Sequence, residues 1–238
     1  MSVTDHDTVG GLDEAERAAV ASGITFVPGI EITAVHEGRD VHVLGYFIDR
    51  TDPVFTGFLD QQRADRVRRV IEMANKLEAI GKPIDCDALV APRSGKSVGR
   101  PMVAKALVKA GHVADIRQAF EELIGEGRPA FIARCGPSPS EVIGIINRAG
   151  GIASLAHPGV LKRDELIPEM IEAGLTALEG FHSDHDAATT EHYLGLADRH
   201  GILVSGGSDY HGEKERRRAA FGTIGLPQDR FDRLKANR

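Results

Sequence analysis

The sequence contains no tryptophan, and aromatic residues make up only 5% of its 238 positions. A binding surface built on aromatic stacking is therefore not expected. An excess of basic residues is missing as well, because the formal net charge is −6. This balance disfavours a globally basic nucleic-acid-binding protein, but it leaves room for a local basic pocket.

Long apolar runs and paired cysteines are also absent. Without a run of about 18 apolar residues, no membrane span is expected. The opening residues MSVTDHDTVGG lack the basic and apolar regions of a signal peptide. The two cysteines, Cys86 and Cys135, are far apart and form no CxxC pair, which is typical of free thiols in a reducing compartment. We therefore expect a cytoplasmic protein.

Short apolar segments alternate with helical patterns along most of the chain. The length and the 42% hydrophobic content suit one α/β domain, with or without a small insert. The predicted strands are Ile24–Ile32, Val41–Ile48 and the segments GIASLA, LTALEGF and GILVSGG. The predicted helices of this part are 11–21, Ser140–Arg148, Asp164–Ala173 and Ala187–His200, with Ser138 or Ser140 as the N-cap of the second. Such alternation predicts a parallel sheet or barrel.

The middle of the chain has a different pattern. Residues 53–82 form one long charged helical segment, and two shorter helices are expected near 99–110 and 116–123. We interpret residues 49–134 as an all-helical insertion between two strands of the barrel. The long segment carries a basic cluster made of Arg63, Arg66, Arg68 and Arg69. Because acidic residues are interleaved with these arginines, a solvated helix face is the expected role.

Histidines and carboxylates gather where the predicted strands end. The chain has ten histidines. The candidate ligands are Asp5, His6, Asp7, Glu31, His42, His157, His182, His185, Asp209 and His211. In a β/α barrel the catalytic face is formed by the C-terminal ends of the strands. A mixed set of imidazoles and carboxylates suits Zn, Mn or Fe, and two close ions would hold a phosphate and ionise a water.

Each of these residues also has a plain structural interpretation. His6 could be a turn histidine and Glu31 could cap a following turn, while His157 could be a satisfied core histidine. His42 could be a solvated strand residue, and Asp209 could be an N-cap. Taken together at consecutive strand ends, the residues favour a metal centre. The remaining histidines, His36, His112, His192 and His200, are interpreted as loop, structural or solvated residues.

Six segments carry a family resemblance. They are TDHDTVGGL, GIEIT, HVLGYF, GRPMVAKALV, AHPG and GGSDYHG, in this order. In this combination they resemble the PHP (polymerase and histidinol phosphatase) superfamily of metal-dependent phosphoesterases, over almost the whole chain. The insertion helices and the GRP segment resemble the branch that hydrolyses nucleoside 3′,5′-bisphosphates and trims short RNAs from the 5′ end.

The resemblance implies a fold and a cofactor. The fold would be a distorted (β/α)7 barrel, discontinuous over residues 1–48 and 135–238, with the helical insertion at 49–134. The complete family site would hold two or three divalent metal ions, with Mn, Zn and Fe as the alternatives.

The resemblance also implies roles for single residues. Glu31, His42 and His157 would hold one metal ion. Asp209, together with Glu31, would serve a second ion, and His6 with His211 would serve a third. Asp209 and His211 would thereby be catalytic. On the substrate side, Arg100, Arg128 and His182 are the candidates, although either arginine could equally be a structural ion-pair partner.

Two departures from the family pattern bear on activity. Family members carry a strand that ends in His-x-His, followed by an Asp, ahead of the TDHD segment, and this sequence starts inside what would be the second strand. Met102 also stands where the branch usually has a histidine. A thioether cannot replace an imidazole as a cation or general acid.

The expected function is metal-dependent hydrolysis of phosphate esters of nucleotides or short RNA, impaired by the missing ligands. A histidinol-phosphate-type phosphatase and a non-catalytic remnant that binds metal or nucleotide are the alternatives. No membrane association and no stable protein partner are expected.

Overall fold

A computed structural model of the chain describes residues 1–91, 98–212 and 216–238. Six strands form one sheet in the order β1 to β6, which curves into a half-barrel. The strands are β1 (Ser2–Val3), β2 (Val27–His36), β3 (Arg39–Tyr46), β4 (Ile152–Leu155), β5 (Ala177–His182) and β6 (Leu203–Gly207). The α/β class predicted from the alternating pattern is therefore confirmed.

The sheet is mixed, and the prediction of an all-parallel sheet is wrong. β3 runs antiparallel to both β2 and β4, whereas β1–β2, β4–β5 and β5–β6 are parallel pairs. The cause is the tight turn at Glu37 and Gly38, whose φ angles are both positive, at 50° and 78°. A two-residue turn of this kind matches the twist of antiparallel strands, so β2 and β3 form a hairpin without a crossover helix.

Helices flank the sheet and fill the long segment between β3 and β4. The α-helices are α1 (Leu12–Ala21), α2 (Pro53–Ala79), α3 (Cys86–Val90), α4 (Arg100–Lys109), α5 (Ile116–Ala119), α6 (Pro139–Arg148), α7 (Pro158–Leu161), α8 (Ile167–Glu172), α9 (Ala187–His200) and α10 (Gln228–Ala236). A π-helical turn, Phe120–Ile124, follows α5. Ser138 caps α6 in a capping box with Glu141, which confirms the N-cap expected there.

The apolar side chains form separate clusters. The largest lies between the sheet and its helices and includes Ile30, Val43, Ile146 and Leu155. A second cluster is made only of residues from the β3–β4 segment, including Met73, Leu107 and Ile124. Helix α2 joins the two, because Phe55 and Leu59 in its first half belong to the sheet cluster.

The half-barrel is open on one side. Among the described residues, β1 pairs only with β2 and β6 pairs only with β5. Cavities of about 640 and 530 Å³ lie between these two strands, and both are lined by Ser2 of β1 and Gly206 of β6. Large apolar side chains at this opening are exposed, with Met1 50% and Phe221 58% accessible. We call this opening between β1 and β6 the seam.

Among the described residues, no helix has the length and apolarity needed to span a membrane.

Candidate metal centre

The pairing of β2 with its neighbours brings three predicted ligands together. His6 forms a bridge to Glu31 of β2, and Thr33 of β2 lies opposite His42 of β3. His157 follows β4, and the amide of Ala156 donates to the carbonyl of His42 at 3.0 Å. Sequence positions more than a hundred residues apart are thus placed on one face of the sheet.

Glu31 lies at the middle of this group. One carboxylate oxygen is 2.7 Å from His42 Nδ1 and 3.3 Å from His157 Nε2, and the other is 3.5 Å from His6 Nε2. Ligand atoms of His6, Glu31 and His42 all lie within 4.8 Å of one another. The resemblance assigns Glu31, His42 and His157 to one metal ion, and the structure places His6 beside these three residues.

The electrostatics follow from this packing. Burial alone would raise the pKa of Glu31, but hydrogen bonds from His157 and His42 and the nearby His6 hold it well below the usual value. Burial lowers the pKa of His6. For His157 the lowering by burial is outweighed by Glu31, and its pKa is raised. The centre thus keeps one ionised carboxylate among imidazoles.

The other predicted ligands lie at the edge of the same group. The rings of His6 and His211 are 5.7 Å apart, and those of His157 and His182 are 5.6 Å apart. Asp209 joins them, because its carboxylate is 3.4 Å from His211 Nδ1 and 3.7 Å from His182 Nε2. The 530 Å³ cavity of the seam opens onto this edge and is lined by Glu31, Asp209 and His211 among others.

These residues fit a divalent metal ion. Imidazole nitrogens and a shared carboxylate are the donor set of Zn, Mn and Fe sites. Nδ1 of His6, Nδ1 of His157 and Nε2 of His182 are buried and have no hydrogen-bond partner among the described residues. When bound there, such an ion supplies an activated water and polarises a phosphoryl oxygen.

The backbone at the centre is strained. Asp7, His157 and Asp209 all have positive φ, at 54°, 28° and 48°. Residues other than glycine keep such angles only where neighbouring groups fix them. For His157 that group is Glu179 of β5, whose carboxylate accepts a 2.8 Å hydrogen bond from the His157 amide. Glu179 is 4% exposed.

Sequence reasoning missed Glu179 because a single Glu inside the apolar segment LTALEGF has no motif around it. Burial raises the pKa of Glu179 to about 7. Replacing Glu179 with Gln therefore changes the charge at this position only slightly, provided that the Gln oxygen still accepts the hydrogen bond from the His157 amide.

Replacing Glu179 with Leu is expected to weaken Mn²⁺ binding by roughly 10- to 100-fold, the range typical of residues that orient metal ligands. The reason is that His157 would lose the hydrogen bond that fixes its strained backbone. Glu179→Gln keeps an acceptor and is expected to stay within about three-fold of the wild type by the same argument. Isothermal titration calorimetry with Mn²⁺ measures both values.

The exposed Glu191 of α9 provides the matched control, Glu191→Leu, which should leave Mn²⁺ affinity unchanged. Equal affinities for Glu179→Leu and the wild type would show that Glu179 does not position His157.

A cluster of arginines lies beside the metal centre. Asp7 is fully buried and is ion-paired with Arg66 and, at 3.4 Å, with Arg134. Asp40 lies 3.8 Å from both Arg134 and Arg100. We call Arg66, Arg69, Arg100 and Arg134, with the two aspartates, the arginine cluster. Burial, Arg100 and Arg134 lower the pKa of Arg69 to about 10, as expected where cations are crowded.

The solvated-face interpretation of the α2 arginines is wrong for Arg66 and Arg69. These two lie on the buried stripe of α2 with Gln62 and Met73, at helical spacing, and Arg69 donates to the carbonyl of Ile132 at 3.0 Å. Arg63 and Arg68 follow the interpretation, because each pairs with an aspartate of its own helix and is at least half exposed.

The substrate-side candidates are placed differently. Arg100 starts α4 and belongs to the arginine cluster. His182 ends β5 next to Asp209. Arg128 is exposed in the turn after the π-helix, where its amide bonds to the carbonyl of Gly125. Met102 packs against the apolar cluster of the helical segment.

Curated relatives resemble the chain over most of its length. It is 33% identical over 233 residues to a 3′,5′-nucleoside bisphosphate phosphatase from Chromobacterium violaceum, an alignment that covers 95% of this chain and 82% of that protein. The chain belongs to the PHP family of metal-dependent phosphoesterases. That relative is, by its name, a phosphoric ester hydrolase.

A second PHP relative is a 5′-3′ exoribonuclease from Haemophilus influenzae, 40% identical over 158 residues. That alignment covers 66% of this chain, and the chain spans only 57% of that relative's length. No family model matches the sequence.

Solved structures resemble the chain over almost its whole length. The chain superimposes with a TM-score of 0.85 and 33% identity on a protein from Bifidobacterium adolescentis assigned as a metal-dependent phosphoesterase, covering 99% of this chain and 85% of the other. An amidohydrolase from Chromobacterium violaceum, solved with bound sulfate and no metal, superimposes with a TM-score of 0.81 and 30% identity, over 99% and 85% of the two chains.

Proposed function

We propose that this chain hydrolyses phosphate esters of nucleotides, with nucleoside 3′,5′-bisphosphates and the 5′ ends of short RNAs as its substrate class. The observation that carries the proposal is the pairing of a His/carboxylate centre with a neighbouring surplus of guanidinium groups. The His/carboxylate centre suits the reacting phosphate, and the guanidinium groups suit another phosphate of the same molecule.

The spacing of the two groups supports this reading. His42 and Asp40 are two residues apart on β3, so their side chains leave the same face of the strand about 6.8 Å apart. Glu31 and Thr33 repeat the spacing on β2, and Thr33 Oγ1 is 3.2 Å from Arg66. A nucleotide with two phosphates on one ribose can span such a distance.

The charge balance also favours a second phosphate. Three guanidinium groups, those of Arg66, Arg100 and Arg134, pair with the carboxylates of Asp7 and Asp40, and Arg69 lies close enough to feel their charge, so the arginine cluster keeps a positive surplus. A histidinol-phosphate-type substrate has one phosphate and would leave this surplus unused. The arginine cluster therefore favours the nucleotide substrate over that alternative.

Finer features of the centre are part of the same proposal. Glu31, His42 and His157 would hold one divalent ion, Asp209 with Glu31 a second, and His6 with His211 a third. Mn, Zn and Fe all suit the donor set. Asp209 and His211 would complete the positions next to the attacking water, and His182 and Arg128 remain candidates for substrate contact.

The domain division is also proposed. The barrel would comprise residues 1–48 and 135–238 of a distorted (β/α)7 fold, and residues 49–134 would be the insertion. The separate apolar cluster of the helical segment supports this division, since the buried residues that the structure describes in this cluster, among them Met73, Leu107 and Ile124, all come from that segment. The contacts of Phe55 and Leu59 with the sheet indicate that α2 fixes the insertion to the barrel.

Phosphate release in the presence of Mn²⁺ from adenosine 3′,5′-bisphosphate and from adenosine 3′-monophosphate tests the function. The bisphosphate should be the better substrate. Arg100→Gln should reduce the preference roughly ten-fold, because a charge-assisted hydrogen bond to phosphate contributes about 1.5–3 kcal/mol. Equal rates for both compounds would contradict a second phosphate site.

Arg117→Gln is the matched control for Arg100→Gln. Arg117 is exposed on α5 and pairs with Glu121 of its own helical segment. Its replacement should leave the preference unchanged.

A further inference from the structure

A cavity of about 380 Å³ lies beside the metal centre, and among its lining residues only His157 also lines a seam cavity. His42 and His157 form one wall, and Asp40 forms another. The cavity thus touches both the ligand group around Glu31 and the arginine cluster. A molecule that reaches from the ligand group to Asp40 can lie along this cavity.

The rest of the lining combines apolar side chains with His36, Arg39 and Arg163. Val160 and Leu161 of α7 and Leu166 supply the apolar surface, and Val160 is 49% exposed. Arg163 at the rim is already engaged, because it donates to Glu37 at 3.1 Å and also to Glu165. The surface formed by Val160, Leu161 and Leu166 therefore suits an uncharged group, whereas the exposed Arg39 adds a cation to the lining.

We propose that this cavity binds the nucleoside of the substrate, with Val160 under the base or ribose and Asp40 as a hydrogen-bond acceptor. The inference rests on the proposed function, since it places a nucleotide with its phosphates at the two flanking groups. The volume is in the range of small-molecule sites, where apolar lining gives affinity and a few polar groups give orientation. Val160 is then a specificity-determining residue.

Two ligands separate the nucleoside from its phosphates. Adenosine 3′,5′-bisphosphate and propane-1,3-diol bisphosphate both carry two phosphates joined through three carbon atoms, but only the first has a base and a ribose. The wild-type chain should bind the nucleotide at least about ten-fold more tightly, as measured by isothermal titration calorimetry in the presence of Mn²⁺.

Val160→Trp should reduce the difference in affinity between the nucleotide and the diol bisphosphate, because the indole would fill much of the cavity. We expect the dissociation constant of the nucleotide to rise at least about ten-fold more than that of the diol bisphosphate. Val160→Ser should raise the dissociation constant of the nucleotide about three-fold more than that of the diol bisphosphate, through loss of apolar contact alone. Val20→Trp, at an exposed valine of α1, is the control and should change neither affinity.

The possible results are distinguishable. Equal wild-type affinity for the two ligands, or an equal change in both for Val160→Trp, would overturn the nucleoside cavity while leaving the two phosphate positions intact. Binding of neither ligand by the wild-type chain would overturn the proposed function as well.

Discussion

Replacing Glu31 with Gln is expected to lower the affinity for Mn²⁺ by more than about 100-fold, beyond the range seen for residues that only orient ligands. Glu31 supplies both of its carboxylate oxygens to the group, facing His42, His157 and His6 within 3.5 Å. A neutral amide removes the one anionic donor at this position and aims N–H groups at one side of it. Calorimetry and elemental analysis of the purified variant measure the loss.

His157→Ala should also remove much of the affinity, because it deletes one donor, but it leaves the carboxylate in place. Glu126→Gln, at an exposed position of the loop after the π-helix, is the control for the charge change. Circular dichroism should show native helix content in all three variants. Unchanged metal occupancy in Glu31→Gln or His157→Ala would contradict the assigned centre.

The sequence was informative where the ligands follow strands. His157 follows β4 as the pattern predicts, whereas Glu31 and His42 lie inside β2 and β3, and the pairing of these two strands brings them together with His6. The joint pattern mattered, since each residue alone has an ordinary structural interpretation.

The direction of the strands could not be predicted from the sequence as reliably as the grouping of the ligands. The segments around Ile32 and Val41 looked like two strands of a parallel sheet, but the turn at Glu37 and Gly38 makes them a hairpin. The dipeptide Glu-Gly is a weaker signal for a hairpin turn than Asn-Gly or Asp-Gly. The helix-strand alternation in the rest of the chain therefore favours parallel strands at this position as well.

The arginine cluster shows another limit of sequence reasoning. Arg66 and Arg69 lie in a run of charges that suits a solvated helix, and only the tertiary structure places Asp7 and Asp40 beside them. The buried carboxylate of Asp7 is compensated by its ion pairs with Arg66 and Arg134, and removing one partner of a buried pair costs about 3–5 kcal/mol. Long-range pairing of this kind leaves no local pattern.

The seam has a direct consequence for activity. It opens onto Asp209 and His211, the residues of the second and third proposed metal positions. The resemblance implies that an additional strand ending in His-x-His, followed by an Asp, supplies the remaining donors of those positions. A metal position that lacks a donor holds its ion more weakly and displaces the attacking water, and a displacement of about 1 Å can cost roughly 100-fold in rate.

A form of the chain with the seam filled is therefore expected to release phosphate from adenosine 3′,5′-bisphosphate roughly 100-fold faster than the 238-residue chain. The extended form would carry an apolar strand ending in His-x-His, then an Asp, ahead of Met1. Its matched control carries Ala-x-Ala in the same strand, which fills the seam without adding ligands and should remain slow. Asp209→Ala and His211→Ala should each abolish the gain, because they remove the partners that the new histidines need. Full activity of the 238-residue chain would show that the catalytic positions lie elsewhere, whereas an extended form inactive on every phosphoester would contradict the proposed function.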